Sequence, residues 1–310
     1  MADQEIAHTL PHGIVPVLQT PFSDTGVIDY ESLTRLIEDA IASGASGFLA
    51  PAVASEVGTL SLSERSDLVP FVVRQSKGRL PLIAGCSAST ADQCAEYSAI
   101  ADKAGAQAIL ISPPDSLRAQ ASDLIEFFRI ATAKTNLPLI VQDLDWNGEG
   151  LAIDTIERLR EAIPQFQGIK IETVPAGPKY TAVRHATEGR FHISGGWAIG
   201  QMIEAMDRGV DALIPEASMV RVYHEIWRRY HSGDRASATA LFRRLLPVLA
   251  FTNQEIRLSI AFFKRLLVRR GIFTSAAMRV PGFAWDEHGL RTADELIEHY
   301  LEIEASTSTC

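Results

Sequence analysis

The chain has 310 residues, 46% apolar and 22% charged, a globular balance long enough for two ordinary domains or one α/β barrel with an appendage. Its net charge of -9 disfavours nucleic acid and anionic membranes as partners, though an anionic substrate stays open if the site is locally positive. No apolar run approaches the roughly 18 residues that span a bilayer, and the opening Met-Ala-Asp-Gln-Glu-Ile-Ala-His lacks the basic and apolar parts of a signal peptide.

The pattern then alternates strand and helix. Gly13 to Pro21 reads as a strand, Tyr30 to Ser43 as an amphipathic helix, and Ser46 to Ala52 as the second strand. Leu62 to Ser76 follows as a helix, capped by Ser61 or Ser63, with Glu64 in its first turn. Leu80 to Gly85, Gln107 to Ser112 and Pro138 to Gln142 are the next strands, with helices at Thr90 to Ala104, Ser122 to Thr135 and Asp154 to Ala162. Phe166 to Ile171, Phe191 to Ser194 and Asp211 to Pro215 are the last three strands. Their helices run from Pro178 to Ala186, Ala198 to Arg208 and Val220 to His231. Eight apolar runs, each followed by a helix, predict an α/β fold of the (β/α)8 TIM-barrel type. A doubly wound open sheet is the rival, but no glycine fingerprint follows the first strand.

Beyond Gly233-Asp234 the strands stop. Ala236 to Phe251, Gln254 to Arg270 and Thr292 to Glu302 read as three helices. The expected division is a barrel over 1–233 that carries the active site and a C-terminal three-helix extension over 234–310 that serves packing or oligomerisation. Arg243-Arg244, Arg265 and Arg269-Arg270 are expected on solvated faces or subunit contacts, and the tail Ala305 to Cys310 is expected to be disordered.

Barrel enzymes place chemistry at the C-terminal ends of their strands. Among those ends, Lys170 is the one lysine. In Gln167-Gly168-Ile169-Lys170-Ile171-Glu172, side chains two apart share a face, so Lys170 and Glu172 point one way and Ile169 and Ile171 the other. An ordinary ion pair at a strand end is the bland reading, and the barrel context favours an active site. A desolvated amine surrenders its proton more readily than a solvated one, and the neutral amine attacks a carbonyl. Glu172 beside it is suited to move protons at the carbon next to an imine. Gln142, on strand five, offers hydrogen bonds but no acid–base chemistry. Cys86, Cys94 and Cys310 are few, odd in number and without metal-ligand spacing, which points to a reducing cytoplasm. His185 and His192 lack partners at ligand spacing, so no metal site is expected, and no glycine loop is shaped for phosphate.

These residues together resemble the dihydrodipicolinate synthase / N-acetylneuraminate lyase family of class I, Schiff-base lyases, over nearly the whole chain. The resemblance rests on Thr20-Pro21-Phe22, on Ser55-Glu56-Val57-Gly58-Thr59-Leu60 with Ser63-Glu64-Arg65, and on Leu82-Ile83-Ala84-Gly85, Gly168-Ile169-Lys170 and Ser194-Gly195. It implies an imine between Lys170 and the C2 carbonyl of a 2-keto acid, no further cofactor, and a homo-oligomer, dimer or tetramer. There are departures. Ala52-Val53-Ala54-Ser55-Glu56 stands where the family has Gly-Thr-Thr-Gly-Glu, so two carboxylate-holding hydroxyls are missing. Gln142-Asp143 falls where the family has its proton-relay tyrosine, Pro114-Asp115-Ser116 replaces the aromatics after the fourth strand, and Trp146-Asn147 replaces an arginine. A branch that dehydrates L-2-keto-3-deoxyarabonate resembles this chain at Gln142-Asp143 and along Lys170-Ile171-Glu172-Thr173-Val174-Pro175-Ala176-Gly177. In that branch the glutamate two after the lysine is taken to replace the tyrosine.

The leading expectation is a lyase that dehydrates a 2-keto-3-deoxy sugar acid, with Lys170, Glu172 and Gln142 catalytic. Thr20, Ala54, Ser55, Glu56, Ser194, Gly195 and Gly196 are expected around the substrate. An aldolase or synthase that makes or breaks a carbon–carbon bond with pyruvate is the alternative. An inert keto-acid-binding barrel and other imine chemistries follow.

Overall fold

The computed structural model describes residues 10–196, 199–280 and 283–307. Its described strands are β1 (Gly13–Ile14), β2 (Phe48–Ala50), β3 (Leu82–Gly85), β4 (Ala108–Ile111), β5 (Leu139–Asp145), β6 (Phe166–Thr173), β7 (His192–Gly195) and β8 (Ala212–Leu213). They form one parallel sheet in the order β1-β8-β7-β6-β5-β4-β3-β2. The segment after β1 closes the ring. Leu18 N donates to Leu49 O at 3.0 Å, Leu49 N donates to Pro16 O at 3.0 Å, and Val17 bridges both Leu49 and Glu216. The fold is the expected (β/α)8 barrel. The first strand is shorter than the expected Gly13 to Pro21, because Pro16 and Pro21 have no N–H to give the ladder.

Between the strands run α1 (Tyr30–Ala42), α2 (Leu62–Ser76), α3 (Ala91–Ala104), α4 (Ala121–Ala131), α5 (Ile153–Ala162), α6 (Gly177–Ala186), α7 (Met202–Asp207) and α8 (Val220–His231). Their starts are written locally. Asp29 accepts from the Glu31 and Ser32 amides at the head of α1, and Ser61 and Glu64 form a reciprocal box at the head of α2. Thr90 caps α3, and Gly105 ends it at φ 88, a left-handed angle that suits glycine. α7 is shorter than expected, and Ala198, where the sequence starts it, lies outside the described residues.

The period-two pattern sorts the strands' side chains into two cores. Val17, Leu49, Ile83, Leu110, Ile140 and Ile214 fill the barrel interior. Ile109, Val141, Ile169, Ile171 and Ile193 meet the helix layer. Each fully buried aliphatic side chain contributes about 1.5–3 kcal/mol. Gly85 is needed where β3 passes the turn after β2, since a Cβ there would lie 1.7 Å from Pro51 O.

The extension is α9 (Arg235–Thr252), α10 (Ile256–Arg269) and α11 (Glu287–Thr307). Leu245, Phe262, Leu266 and Ile297 belong to the same continuous cluster as the helix layer of the barrel. Two expectations change here. Arg270, just past α10, is largely buried and tied to Asp39 and Glu304 at 3.0 Å each, and Arg265 pairs with Asp294 at 2.6 Å, whereas Arg269 keeps the expected solvated face while it pairs with Glu298 at 2.8 Å. Their partners lie far away in sequence, which is why the local pattern hid them. The tail is also helical through Thr307, because Ser306 and Thr307 bond back to Ile303 O and Glu304 O while Arg244 reaches Ser306. Cys310 lies outside the described residues.

Candidate active site

β5 and β6 are the two longest strands, with seven and eight residues, and both run past the barrel rim. The expected ends at Gln142 and Ile171 are therefore too early. The register sets Gln142 beside Lys170, and Lys170 beside Ser194, at one level of the barrel. Ile169 and Ile171 join the outer core, so Lys170 and Glu172 face the interior together. Lys170 is 3% exposed and Glu172 7%. Lys170 Nζ lies 2.9 Å from Glu172 Oε2, and Gln142 Nε2 donates to that same oxygen at 2.5 Å. A buried charge pair of this kind is costly to desolvate unless further hydrogen bonds hold it, and Gln142 provides one.

Gly196 closes over the pair. A Cβ on it would lie 2.4 Å from Glu172 Oε1 and 2.6 Å from Lys170 Cε, so a hydrogen is what fits. Gly195 faces the other way, where a Cβ would meet the Tyr180 hydroxyl at 2.6 Å. Burial pushes that phenol up, away from the working range, and the Glu172 carboxylate nearby adds to the shift.

Lys170, Glu172 and Gln142 open onto a narrow cleft of about 50 Å³. Val17, Ile214 and Pro215 form one wall, and Ala52, Val53 and Ala54 form a second. Leu144, near the end of β5, and Trp146, just past it, line the cleft as well, and Ile256 and Ser259 reach in from α10. Leu144, Ile256 and Ser259 were not singled out from the sequence. Those on α10 arrive from the far end of the chain, and nothing local marks them.

Of the residues expected at the substrate, Ala54 lines the cleft, and Gly196 lies against Lys170 and Glu172. Others hold the scaffold. Ser55 is fully buried, donates to Leu18 O at 2.6 Å and accepts from Ala52 N at 3.1 Å. Thr20 donates to Ser55 O at 2.8 Å. Glu56 forms a buried ion pair with Lys264 of α10 and accepts from Arg279 N and Val280 N at 2.7 and 2.8 Å. These three therefore lock the loop after β2, and the structure does not bring them to the cleft. Ser194 is fully buried, with its hydroxyl 3.5 Å from Ile169 O.

Two further carboxyls stand near strand ends. Asp143 is turned into the helix layer, where it contacts Arg118 at 3.2 Å and Lys179 at 3.5 Å and accepts from Leu151 N at 3.0 Å. Burial raises its pKa, against the pull of Lys179 and Arg118. Glu216 lines the cleft and accepts from Gln19 at 3.0 Å and from Ser218. Burial raises its pKa as well, with the Ser218 bonds opposing. His192 bonds Pro11 O at 3.0 Å, near the opposite end of the barrel. Among the described residues no group of three His, Cys, Asp or Glu side chains converges as a metal-ligand set.

A (β/α)8 barrel with a three-helix extension and a buried lysine on its sixth strand defines a class of barrel enzymes. The model of the dihydrodipicolinate synthetase family matches residues 10–300, and the chain belongs to that family. It is accordingly an enzyme, a lyase. It is similar to the L-2-keto-3-deoxyarabonate dehydratase of Azospirillum brasilense, 28% identical over 280 residues, which covers 87% of this chain and 88% of that protein. It is also similar to the 4-hydroxy-tetrahydrodipicolinate synthase of Neisseria meningitidis serogroup B, 29% identical over 239 residues, covering 76% of this chain and 81% of the relative. Among solved structures, the 4-hydroxy-tetrahydrodipicolinate synthase of Methylacidiphilum fumariolicum SolV superposes with a TM-score of 0.86 at 22% identity, over 96% of this chain and 98% of that one. That last likeness is one of fold.

Proposed function

We propose that this enzyme is a Schiff-base-forming lyase that dehydrates a 2-keto-3-deoxy sugar acid, as the Azospirillum relative's name describes for that protein. The observation that carries the reading is the contact of Lys170 Nζ with Glu172 Oε2 at 2.9 Å, with Gln142 beside them. Glu172 takes a proton from the lysine ammonium, the neutral amine adds to the C2 carbonyl, and the carbonyl oxygen leaves as water with the proton that Glu172 returns and one from the amine, which leaves an iminium and a free Glu172 carboxylate. The iminium then draws electrons from C3, and Glu172 removes the C3 proton to give an enamine. The enamine expels the C4 hydroxyl, which leaves as water with the proton that Glu172 returns. A second water hydrolyses the conjugated iminium and frees Lys170. The imine is the electron sink, so the chemistry calls for no other cofactor. Cytoplasmic location and a homo-oligomeric state, dimer or tetramer, belong to the same reading. Among the described residues no helix is long and apolar enough to cross a membrane.

A pyruvate-dependent aldolase or synthase is the second reading, favoured by the Neisseria relative. It shares Lys170 and wants hydroxyls to hold a carboxylate, where this cleft presents Val53 and Ala54. One experiment tests both. Borohydride with 2-keto-3-deoxy-L-arabonate is expected to add the ligand mass, less oxygen, to the peptide that contains Lys170. The label is expected to vanish in Lys170→Arg and to persist in Glu172→Gln, whose turnover falls by roughly 10²–10⁴-fold, as for a lost general base. Release of pyruvate in place of a dehydrated product would assign the enzyme to the second reading.

A further inference from the structure

We propose that helix α10 of the C-terminal extension is a specificity wall of the active site. In this account Ser259 hydrogen-bonds an uncharged, hydroxylated far end of the substrate, a reading that rests on the proposed 2-keto-acid chemistry at Lys170. Three observations support it. The first is the cleft's charge. Lys170 is the one cationic side chain among its described lining residues, and Glu172 already neutralises it, while Glu216 adds a further carboxyl. A substrate with a second carboxylate at its far end would find no cation there to offset its desolvation.

The second observation is the hydroxyl itself. Ser259 is 7% exposed and lines the cleft, yet its hydroxyl makes no hydrogen bond among the described residues. Four other buried hydroxyls within or at the ends of helices bond the carbonyl one turn back, Ser98 to Cys94 at 2.7 Å, Thr132 to Phe128 at 2.8 Å, Thr187 to Val183 at 2.8 Å and Thr252 to Val248 at 3.0 Å, and Ser32 in α1 bonds Asp29 at 2.6 Å. The bond one turn back is the usual local outlet for such a group. Ser259 leaves it unused, so its donor and acceptor are available to a molecule in the cleft.

The third observation is rigidity. One helical turn separates Ile256 from Ser259, so both present to the cleft from one face of α10. The same helix carries Lys264, whose buried pair with Glu56 fastens α10 to the loop that bears Val53 and Ala54. The two walls are therefore held at a set spacing. Leu144, Trp146 and Ile256 offer apolar surface to the carbon backbone of the tail, and Ser259 offers the hydrogen bond.

Borohydride trapping on Lys170 tests this with three probes: pyruvate, which has no tail; 2-keto-3-deoxy-L-arabonate, which has a hydroxylated one; and 2-ketoglutarate, which has a charged one. The wild type is expected to reach half-saturation at the lowest concentration with the hydroxylated acid and at the highest with 2-ketoglutarate. Ser259→Ala is expected to raise half-saturation for the hydroxylated acid about tenfold, the size of one neutral hydrogen bond. Pyruvate is expected to stay within about twofold, and Ser259→Thr to restore binding. Equal losses for pyruvate and the hydroxylated acid would make Ser259 structural and overturn the inference alone. So would wild-type trapping of 2-ketoglutarate as readily as of the hydroxylated acid. Absence of trapping with all three probes would remove the Schiff-base reading, and this inference with it.

Discussion

Lys170 and Glu172 sit two apart on one strand, and that spacing by itself sends both into the barrel, because strand side chains alternate. Their separation of 2.9 Å depends on something else: the chain returning as Gly196 above them. A methyl group at Gly196 would meet Glu172 Oε1 and Lys170 Cε well inside contact distance, and the soft response is for the two side chains to swing apart. Gly196→Ala is thus expected to lower kcat by at least about tenfold, since small misplacements of reacting groups cost up to about a hundredfold. Melting temperature should change little, as the glycine's φ is not in the left-handed region. Near wild-type turnover in this variant would show that the pair tolerates displacement. Thr20, Ser55 and Glu56 teach the converse. Their residue types suggest substrate binding, but the tight turn after β2 points Ser55 at Leu18 O and Glu56 at Lys264, and Thr20, in the segment after β1, donates to Ser55 O on that turn.

Helix starts and stops were legible almost to the residue wherever a capping side chain carries the signal, as at Asp29, Ser61 and Thr90. Strand ends were not, because β5 and β6 extend each other beyond the rim through pairs such as Asp145 with Thr173, which no local pattern announces. At this scale α10 is the informative element. Lys264 is fully buried, pairs with Glu56, donates to Ala277 O at 2.8 Å, and lies 4.4 Å from the centre of the Phe22 ring. Burial lowers its pKa, and the Glu56 carboxylate opposes that shift. Lys264→Met leaves Glu56 as an uncompensated buried charge, so it is expected to destabilise the protein by about 3–5 kcal/mol in urea denaturation. Adding Glu56→Gln should recover part of that loss. A single variant within about 1 kcal/mol of wild type would mean that the pair does not fasten the extension.

For the molecule as a whole, the acid limb of stability follows from ion pairs, one of which, Arg279 with Glu64, crosses between barrel and extension. The hydrogen bonds from Arg279 hold Glu64 at about 2, well below its ordinary 4.5, with the Ser61 amide helping and burial opposing. A carboxyl held lower in the fold than in the unfolded chain adds stability above pH 4.5 and loses it as pH falls towards 2. Glu225, held at about 2 by Arg228 and Arg229, acts in the same direction. Asp143 and Glu216 act oppositely, since burial makes the fold keep their protons longer than the unfolded chain does. Glu64→Gln is expected to lower the urea midpoint most near neutrality, and to flatten its fall between about pH 5 and about pH 3, where the wild type loses this contribution. An unchanged acid limb in that variant would show that Arg279 and Glu64 do not couple the segment before α11 to α2.

The division between sequence and tertiary structure follows the range of the forces involved. Alternating apolar runs, capping residues and strand period are local, so the sequence alone determined a (β/α)8 barrel, a helical extension and the shared face of Lys170 and Glu172. Closure of the ring through Val17, the burial of Lys264 against Glu56, the inward turn of Ser55 and the arrival of Ile256 and Ser259 in the cleft each join residues far apart in the chain. Only the tertiary structure decided these, because each depends on which surfaces meet once the barrel has closed, and no run of neighbouring residues encodes that meeting.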